Sequence, residues 1–292
     1  GLLVMLPRII VSYGVGLTIE FVVAQWKKEE IQEGYLVSGL LIPMICPVST
    51  PLWMMALAVA FAVIFAKEIY GGTGMNIFNP ALIARAFLFF AYPTSMSGDA
   101  CWVATESFCG LGHNVVDGFT AATPLGIAAA GQAVNFAETS TFVGLIPGSV
   151  GETSVIAIAI GAALLLVTKI ASWRTMGSVF VGGAVVAWLF NIAGMETNVV
   201  ANIPWYEHLA TGGFCFGAVF MATDPVTSAR TEKGQFIYGF LIGVVAITVR
   251  VLNPGYPEGM MLAILLMNMF APLIDYVFVQ RNINMRLNRV KK

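Results

Sequence analysis

Gly39 Leu40 Leu41 Ile42 Pro43 Met44 Ile45 Cys46 Pro47 Val48 Ser49 has a counterpart about 178 residues on, Gly217 Ala218 Val219 Phe220 Met221 Ala222 Thr223 Asp224 Pro225 Val226 Thr227. Each is an apolar run broken by Pro, Val and a hydroxyl residue. Each is followed by an apolar helix, a turn with Gly and Pro (Gly71 to Pro80, Asn253 to Gly259) and a last helix. Irregular backbone at membrane depth is tolerated only where it lines a protein-walled site. Two breaks at matched places in two halves therefore predict an inverted-topology repeat. The register pairs segment 2–25 with 175–194 and leaves 153–168 without a partner unless a helix precedes residue 1. Ten helices in a five-plus-five arrangement follow, nine of them within this sequence.

Working outward, 58% of the 292 residues are hydrophobic and 11% charged, with a mean hydropathy of +0.82, where soluble domains have about a quarter of their residues charged. Apolar segments fall near 2–25, 35–47, 51–69, 77–93, 153–168, 175–194, 206–222, 236–252 and 259–279. Several approach or exceed the roughly 18 to 20 residues that cross a hydrocarbon core, and none alternates as a membrane barrel does. The class is all-α and polytopic. One transmembrane domain fills 1–292: repeat one at about 1–93, lacking its first helix, an outer segment at about 94–152, repeat two at about 153–279, and a basic tail at 280–292. The apolar run from Leu2 has no basic leader or cleavage site and reads as a transmembrane segment.

Lys27 and Lys28, Lys67, Lys169 and Arg174, Arg230 and Lys233, and the tail Arg281, Arg286, Arg289, Lys291 and Lys292 all fall on one side of nine alternating crossings. The positive-inside rule makes that side, with the C-terminus, cytoplasmic. Residues 86–168, 195–205 and 253–258 hold no Lys or Arg and face outward, to the periplasm. A net charge of −1 gives no reason to expect nucleic acid. Cys46, Cys101, Cys109 and Cys215 form no CxxC pair. Cys101 and Cys109, with His113 nearby, suit a disulfide in an oxidising compartment better than a metal site.

The outer segment contains Asp117 Gly118 Phe119 Thr120 Ala121 Ala122 Thr123. This resembles the acceptor site of flavin transferases, which join FMN through its phosphate to the last hydroxyl, here Thr123. Gly118, Ala121 and Ala122 leave room for the transferase and then for the flavin, while Asp117 and Thr120 position the acceptor backbone or the assisting metal. The ordinary reading of Thr123 before Pro124 is a helix N-cap with Pro at the first helical position; the two are compatible.

Further runs carry a wider resemblance: Gly71 Gly72 Thr73 Gly74 with Asn79 Pro80 Ala81 Leu82, Arg85 Ala86 Phe87 Leu88 Phe89 Phe90 Ala91 Tyr92 Pro93, Ser97 Gly98 Asp99, Ala222 Thr223 Asp224 Pro225 Val226, and Asn253 Pro254 Gly255 Tyr256 Pro257 Glu258 Gly259 Met260 Met261. They resemble the NqrB/RnfD family over essentially the whole chain. Tyr256 to Met261 and Arg281 Asn282 Ile283 lie nearer the quinone-reductase branch. Thr120 and Ala121 depart from the family's usual Ser or Thr followed by Gly, and Thr105 to Val115 looks like an insertion.

The resemblance implies a membrane subunit of a sodium-translocating NADH:quinone oxidoreductase in a bacterial inner (cytoplasmic) membrane. It implies covalent FMN on Thr123 with Arg85 also among the flavin-binding residues, riboflavin as a further flavin, and sodium as the transported ion. Implied partners are the other subunits, quinone, a flavin transferase and the bilayer. No Rossmann-type Gly fingerprint is present, so NADH would be oxidised on a partner subunit. One alternative is the D subunit of an Rnf-type ferredoxin:NAD oxidoreductase; the rival from another class is a urea- or ammonium-like channel, which has no use for a flavin acceptor.

Charges at bilayer depth are functional candidates by default. Glu20, Asp224 and Asp275 are candidates for the ion path, Asp224 foremost because it sits where the second broken helix unwinds. Gly14 and Gly16, before Glu20, are candidates for quinone contact by the resemblance. Arg250 and Asp275, near helix ends, also suit snorkelling or pairing.

Overall fold

The computed structural model describes residues 2–30, 34–96, 101–102, 120–132, 134, 138–144, 146–195 and 198–290. Its helices are α1 (Leu2–Lys27), α2 (Tyr35–Ile45), α3 (Leu52–Ala62), α4 (Pro80–Ala91), α5 (Pro93–Met96), α6 (Pro124–Ala129), α7 (Glu138–Val143), α8 (Val155–Val167), α9 (Trp173–Ala193), α10 (Trp205–Ala210), α11 (Phe214–Phe216), α12 (Glu232–Leu252) and α13 (Met260–Val290). π turns extend α3 over Val63–Lys67 and α11 over Gly217–Met221. Among the described residues the strand structure is one antiparallel pair, β1 (Cys101–Trp102) with β2 (Thr120–Ala121).

Among the described residues, five stretches are long and apolar enough to cross a membrane: Met5–Lys27, Leu52–Tyr70, Trp173–Ala193, Glu232–Leu252 and Met260–Arg289. Tyr35–Ile45, Pro80–Ala91 and Val155–Val167 are apolar but short. At 1.5 Å per residue they reach roughly 16 to 20 Å, against a hydrocarbon core of about 30 Å. Among the described residues, helix length by itself accounts for five crossings, and the shorter apolar helices stand at three more of the nine segments expected from the sequence. Proline marks an end of two of the shorter helices: Pro47 follows the end of α2, and Asn79 with Pro80 sets the start of α4.

Backbone groups freed at these interruptions are satisfied locally. Pro43 lacks the N–H that would bond Gly39 O, and Ser12 Oγ on α1 donates to that carbonyl at 2.8 Å. Asn79 Oδ1 accepts from Ala81 N at 2.9 Å and caps α4. The closest helix pair, α9 against α12, depends on glycine: a Cβ at Gly243 would lie 2.5 Å from Gly183 N. The buried core runs from Ile42, Met55 and Leu82 through Phe214 and Phe216 to Ile242 and Ile264, and so joins both halves of the chain.

Candidate functional site

Thr123 precedes α6 in extended conformation, φ −65° and ψ 150°, and its Oγ1 accepts from Gly126 N at 3.1 Å. The N-cap reading of Thr123 and Pro124 therefore holds. Thr123 is half-buried, as is Ala122. Thr120 and Ala121 pair through their backbones with Trp102 and Cys101. Asp117, Gly118, Cys109, His113, the run Ser97 to Asp99 and the expected insertion lie outside the described residues.

Behind Thr123 lies a cavity of about 30 Å³, lined also by Pro147, Ser149, Glu152, Gly212 and Glu258. It has room for about two waters. Arg85 on α4 meets Glu152 and Glu258 at its floor: Nη1 donates to Glu152 Oε1, and Nη2 donates to Glu258 Oε2 and, at 3.5 Å, to Glu152 Oε2. Glu152 is 8% exposed; the Glu258 side chain, at 27%, is the wetter partner. Gly213 makes this arrangement possible, since a Cβ there would lie 2.8 Å from Glu152 Cδ. Burial pushes the Glu152 carboxyl up to about 7; the Arg85 charge opposes this but is shared with Glu258.

Arg250, 1% exposed, does not snorkel. It donates to the carbonyls of His208, Thr211 (3.2 Å) and Glu258 (3.1 Å), tying the α10–α11 break to the loop before α13. Tyr256, 4% exposed, stacks edge-on to Phe89 at 4.5 Å; its hydroxyl has no hydrogen-bond partner among the described residues and lies within electrostatic reach of Glu258, Arg85, Glu152 and Arg250.

The two chain breaks are built differently. At the first, the end of α2 is closed by distant groups: Gly151 N donates to Met44 O at 2.9 Å, Ser149 Oγ to Ile45 O at 3.2 Å, and Arg8 to Val48 O. At the second, Asp224 accepts from Val226 N at 3.1 Å and Thr227 Oγ1 at 2.9 Å, and Asn79 Nδ2 approaches it at 3.4 Å. Asp224 thus joins the second break to the start of α4.

Of the remaining candidates, Glu20 is 5% exposed and pairs with Lys67 on the π turn, while its Oε2 has no hydrogen-bond partner among the described residues. Asp275 accepts from Arg230 N (2.7 Å), Thr231 N (2.9 Å) and Thr231 Oγ1 (2.6 Å), which makes it a clamp between α13 and the N-terminus of α12. Gly16 faces the Tyr35 ring, whereas Gly14 faces open space. Cys46 and Cys215 are free and buried. Among the described residues no group of three His, Cys, Asp or Glu is placed to hold a metal.

Sequence reasoning missed Glu152, Glu258 and Lys67 as members of buried ion pairs. For the two acids the signal lies in their position in or beside connections that have no basic residue of their own, so that a partner has to come from a helix.

Apolar helices interrupted by polar breaks, with buried ion pairs beside them, define a multi-pass helical membrane protein. The chain belongs to the NQR2, RnfD, RnfE family, whose model matches residues 3–284. Similar proteins include the B subunit of the Na(+)-translocating NADH-quinone reductase of Chromohalobacter salexigens, 50% identical over 284 residues, covering 97% of this chain and 67% of that one. The same subunit of Ectopseudomonas mendocina is 50% identical over 289 residues (97% and 69%), and that of Klebsiella pneumoniae 47% over 298 (99% and 70%). The family resemblance read from the sequence is borne out.

Proposed function

We propose that this chain is the membrane subunit of a sodium-translocating NADH:quinone oxidoreductase and carries FMN as a phosphoester on Thr123, at the periplasmic face of a bacterial inner membrane. The observation that carries the reading is Thr123 itself: a half-buried hydroxyl beside a cavity floored by a buried ion cluster, in a segment free of Lys and Arg. The relatives' printed names supply the reaction.

The residues present fit the group. Ala122 and Gly126 are small, and Thr123 Oγ1 acts as an acceptor in its cap, so esterification removes no donor that the cap needs. The cavity is too small for a tricyclic ring and suits at most the tether end. When bound, the flavin supplies one- and two-electron transfer toward quinone, and the protein supplies position and electrostatics. NADH is oxidised on a partner subunit; riboflavin is a further flavin of the same assembly.

The sodium path in this reading includes Glu20, Asp224 and Asp275, with Asp224 and Asn79 as oxygen donors at the second break. A five-plus-five inverted repeat is supported by reciprocal contacts. The second break meets the start of α4 through Asp224 and Asn79, and the first lies within electrostatic reach of Glu258, just before α13. The test is direct: denature the protein made with a working flavin transferase, look for flavin fluorescence on the gel band, and locate the modified peptide by mass. Flavin on Thr123, lost in Thr123→Ala, is expected; a bare Thr123 in active complex overturns the reading.

A further inference from the structure

Glu20 and Lys67 meet at a cavity separate from the one beside Thr123. It measures about 20 Å³, room for a single water or small ion, and its lining includes Lys27, Glu29, Glu30 and Glu68. Four carboxylates against two ammonium groups leave that lining with an excess of two negative charges. Lys27 is already engaged, at 3.3 Å from Glu68 Oε2 and 2.9 Å from Glu68 O. Glu29 and Glu30 are exposed and bring negative potential to the opening, on the side that the basic residues mark as cytoplasmic.

The buried pair is satisfied on one side only. Glu20 gives one oxygen to Lys67, while its Oε2 has no hydrogen-bond partner among the described residues. A buried carboxylate oxygen is costly to leave unpaired, so it marks a seat for something that fits the cavity. Lys67, 3% exposed, has a second seat of its own: Nζ lies 5.9 Å from the centroid of the Tyr35 ring, within reach of a cation–π contact. Its backbone stands where the π turn over Val63–Lys67 gives way to a 3-10 turn over Glu68–Tyr70, the kind of helix irregularity that is frequent at functional sites.

We infer that Lys67 is a tethered competitor for the cation seat at Glu20: its ammonium holds the carboxylate while no ion is bound and turns to the Tyr35 ring when a small monovalent cation enters from the cavity. The inference rests on the sodium-path reading of Glu20 and adds a positioning residue to it. Charge supplies the reason. A buried carboxylate without a counter-ion is strongly destabilising, so the empty seat needs a resident cation. A lysine serves because its compact charge rides on a flexible four-carbon stem and can leave and return, where the fork of an arginine would hold on. No covalent bond changes: one cation replaces another on Glu20, and the lining goes from an excess of two negative charges to one.

The test follows quinone reduction by the purified whole complex over a series of sodium concentrations, with choline chloride holding the ionic strength constant. Lys67→Met is expected to lower the half-saturating sodium concentration about tenfold, the gain from removing a competitor that occupies the seat about nine-tenths of the time. It is expected to lower the maximal rate as well, because nothing returns to displace the ion. Lys67→Arg keeps a cation and brings half-saturation back toward wild type. A slower Lys67→Met complex with half-saturation unchanged or raised, the mark of a merely structural pair, overturns the inference. Glu20→Gln separates the two readings. If it raises half-saturation while Lys67→Met fails to lower it, the role of Lys67 falls and the sodium reading of Glu20 stands; if it leaves half-saturation unchanged, both fall. If Lys67→Met does not assemble, the sodium-minus-choline infrared difference spectrum of wild type made with isotope-labelled lysine decides. A labelled ammonium band that sodium shifts, and that is missing in Lys67→Arg, supports the inference; a spectrum without one overturns it.

Discussion

The break after α2 and the break after the π turn at Gly217–Met221 look alike in sequence and differ in which side chains hold them. The first borrows partners from afar: Ser149 and Gly151, in the connection before α8, and Arg8 from α1 close its carbonyls. The second carries most of its own, since Asp224 binds Val226 N and Thr227 Oγ1 within three residues and takes a longer contact from Asn79 at the start of α4. A self-capped break keeps its shape when neighbours move. A borrowed one ties membrane helices to the segment that follows Thr123, so a disturbance there is felt by α2.

The largest test of that contrast is Arg85→Met. It leaves Glu152 and Glu258 facing each other without their cation, and removing one partner of a buried ion cluster costs about 3 to 5 kcal/mol. Thermal melting in detergent is expected to show a large loss, only partly recovered in Arg85→Lys, because an ammonium lacks the fork that serves two carboxylates.

Asp224→Ala comes next, at about 2 to 3 kcal/mol for the bonds it accepts, with Asp224→Asn keeping most of the stability. Equal stability in the alanine variant would erase the idea of a self-capped break. Ser149→Ala is expected to cost about 1 kcal/mol. Its sharper signature is faster amide exchange around Cys46, whereas Thr227→Val, of similar cost, leaves Val226 protected by Asp224. If both variants loosen their breaks equally, the distinction between borrowed and local caps fails.

The smallest effect is that of Ser12→Ala, which frees the Gly39 carbonyl exposed by Pro43. Side-chain hydrogen bonds between membrane helices average about 0.6 kcal/mol, and a melt shift of that order is expected.

How much was legible follows from the same contrast. Asp224 could be singled out because its bonding partners lie beside it in the chain, and a carboxylate next to Pro225 in an apolar run has little to do there except bind. Thr123 was legible as an N-cap because capping needs only a hydroxyl, a Pro and three residues of reach. The partners of Arg85 were not, because Glu152 and Glu258 lie 67 and 173 residues away and look like ordinary loop acids. Nine apolar runs point to nine crossings, but hydropathy measures how apolar a stretch is and does not say where within it the helix begins or ends, as Tyr35–Ile45 and Pro80–Ala91 show.

Hydropathy was enough on its own to give a helical membrane protein, because burial in lipid leaves a compositional mark on every segment, and the family was legible in the resemblance of particular runs such as Gly71 to Gly74, Ala222 to Val226 and Asn253 to Met261. The folded molecule alone decided which charges meet: Arg85 with both glutamates under Thr123, Glu20 with Lys67, Arg250 on three carbonyls. A buried charge must find a partner somewhere, and the chain's order does not say where; only the packing of helices from both halves brings the two together.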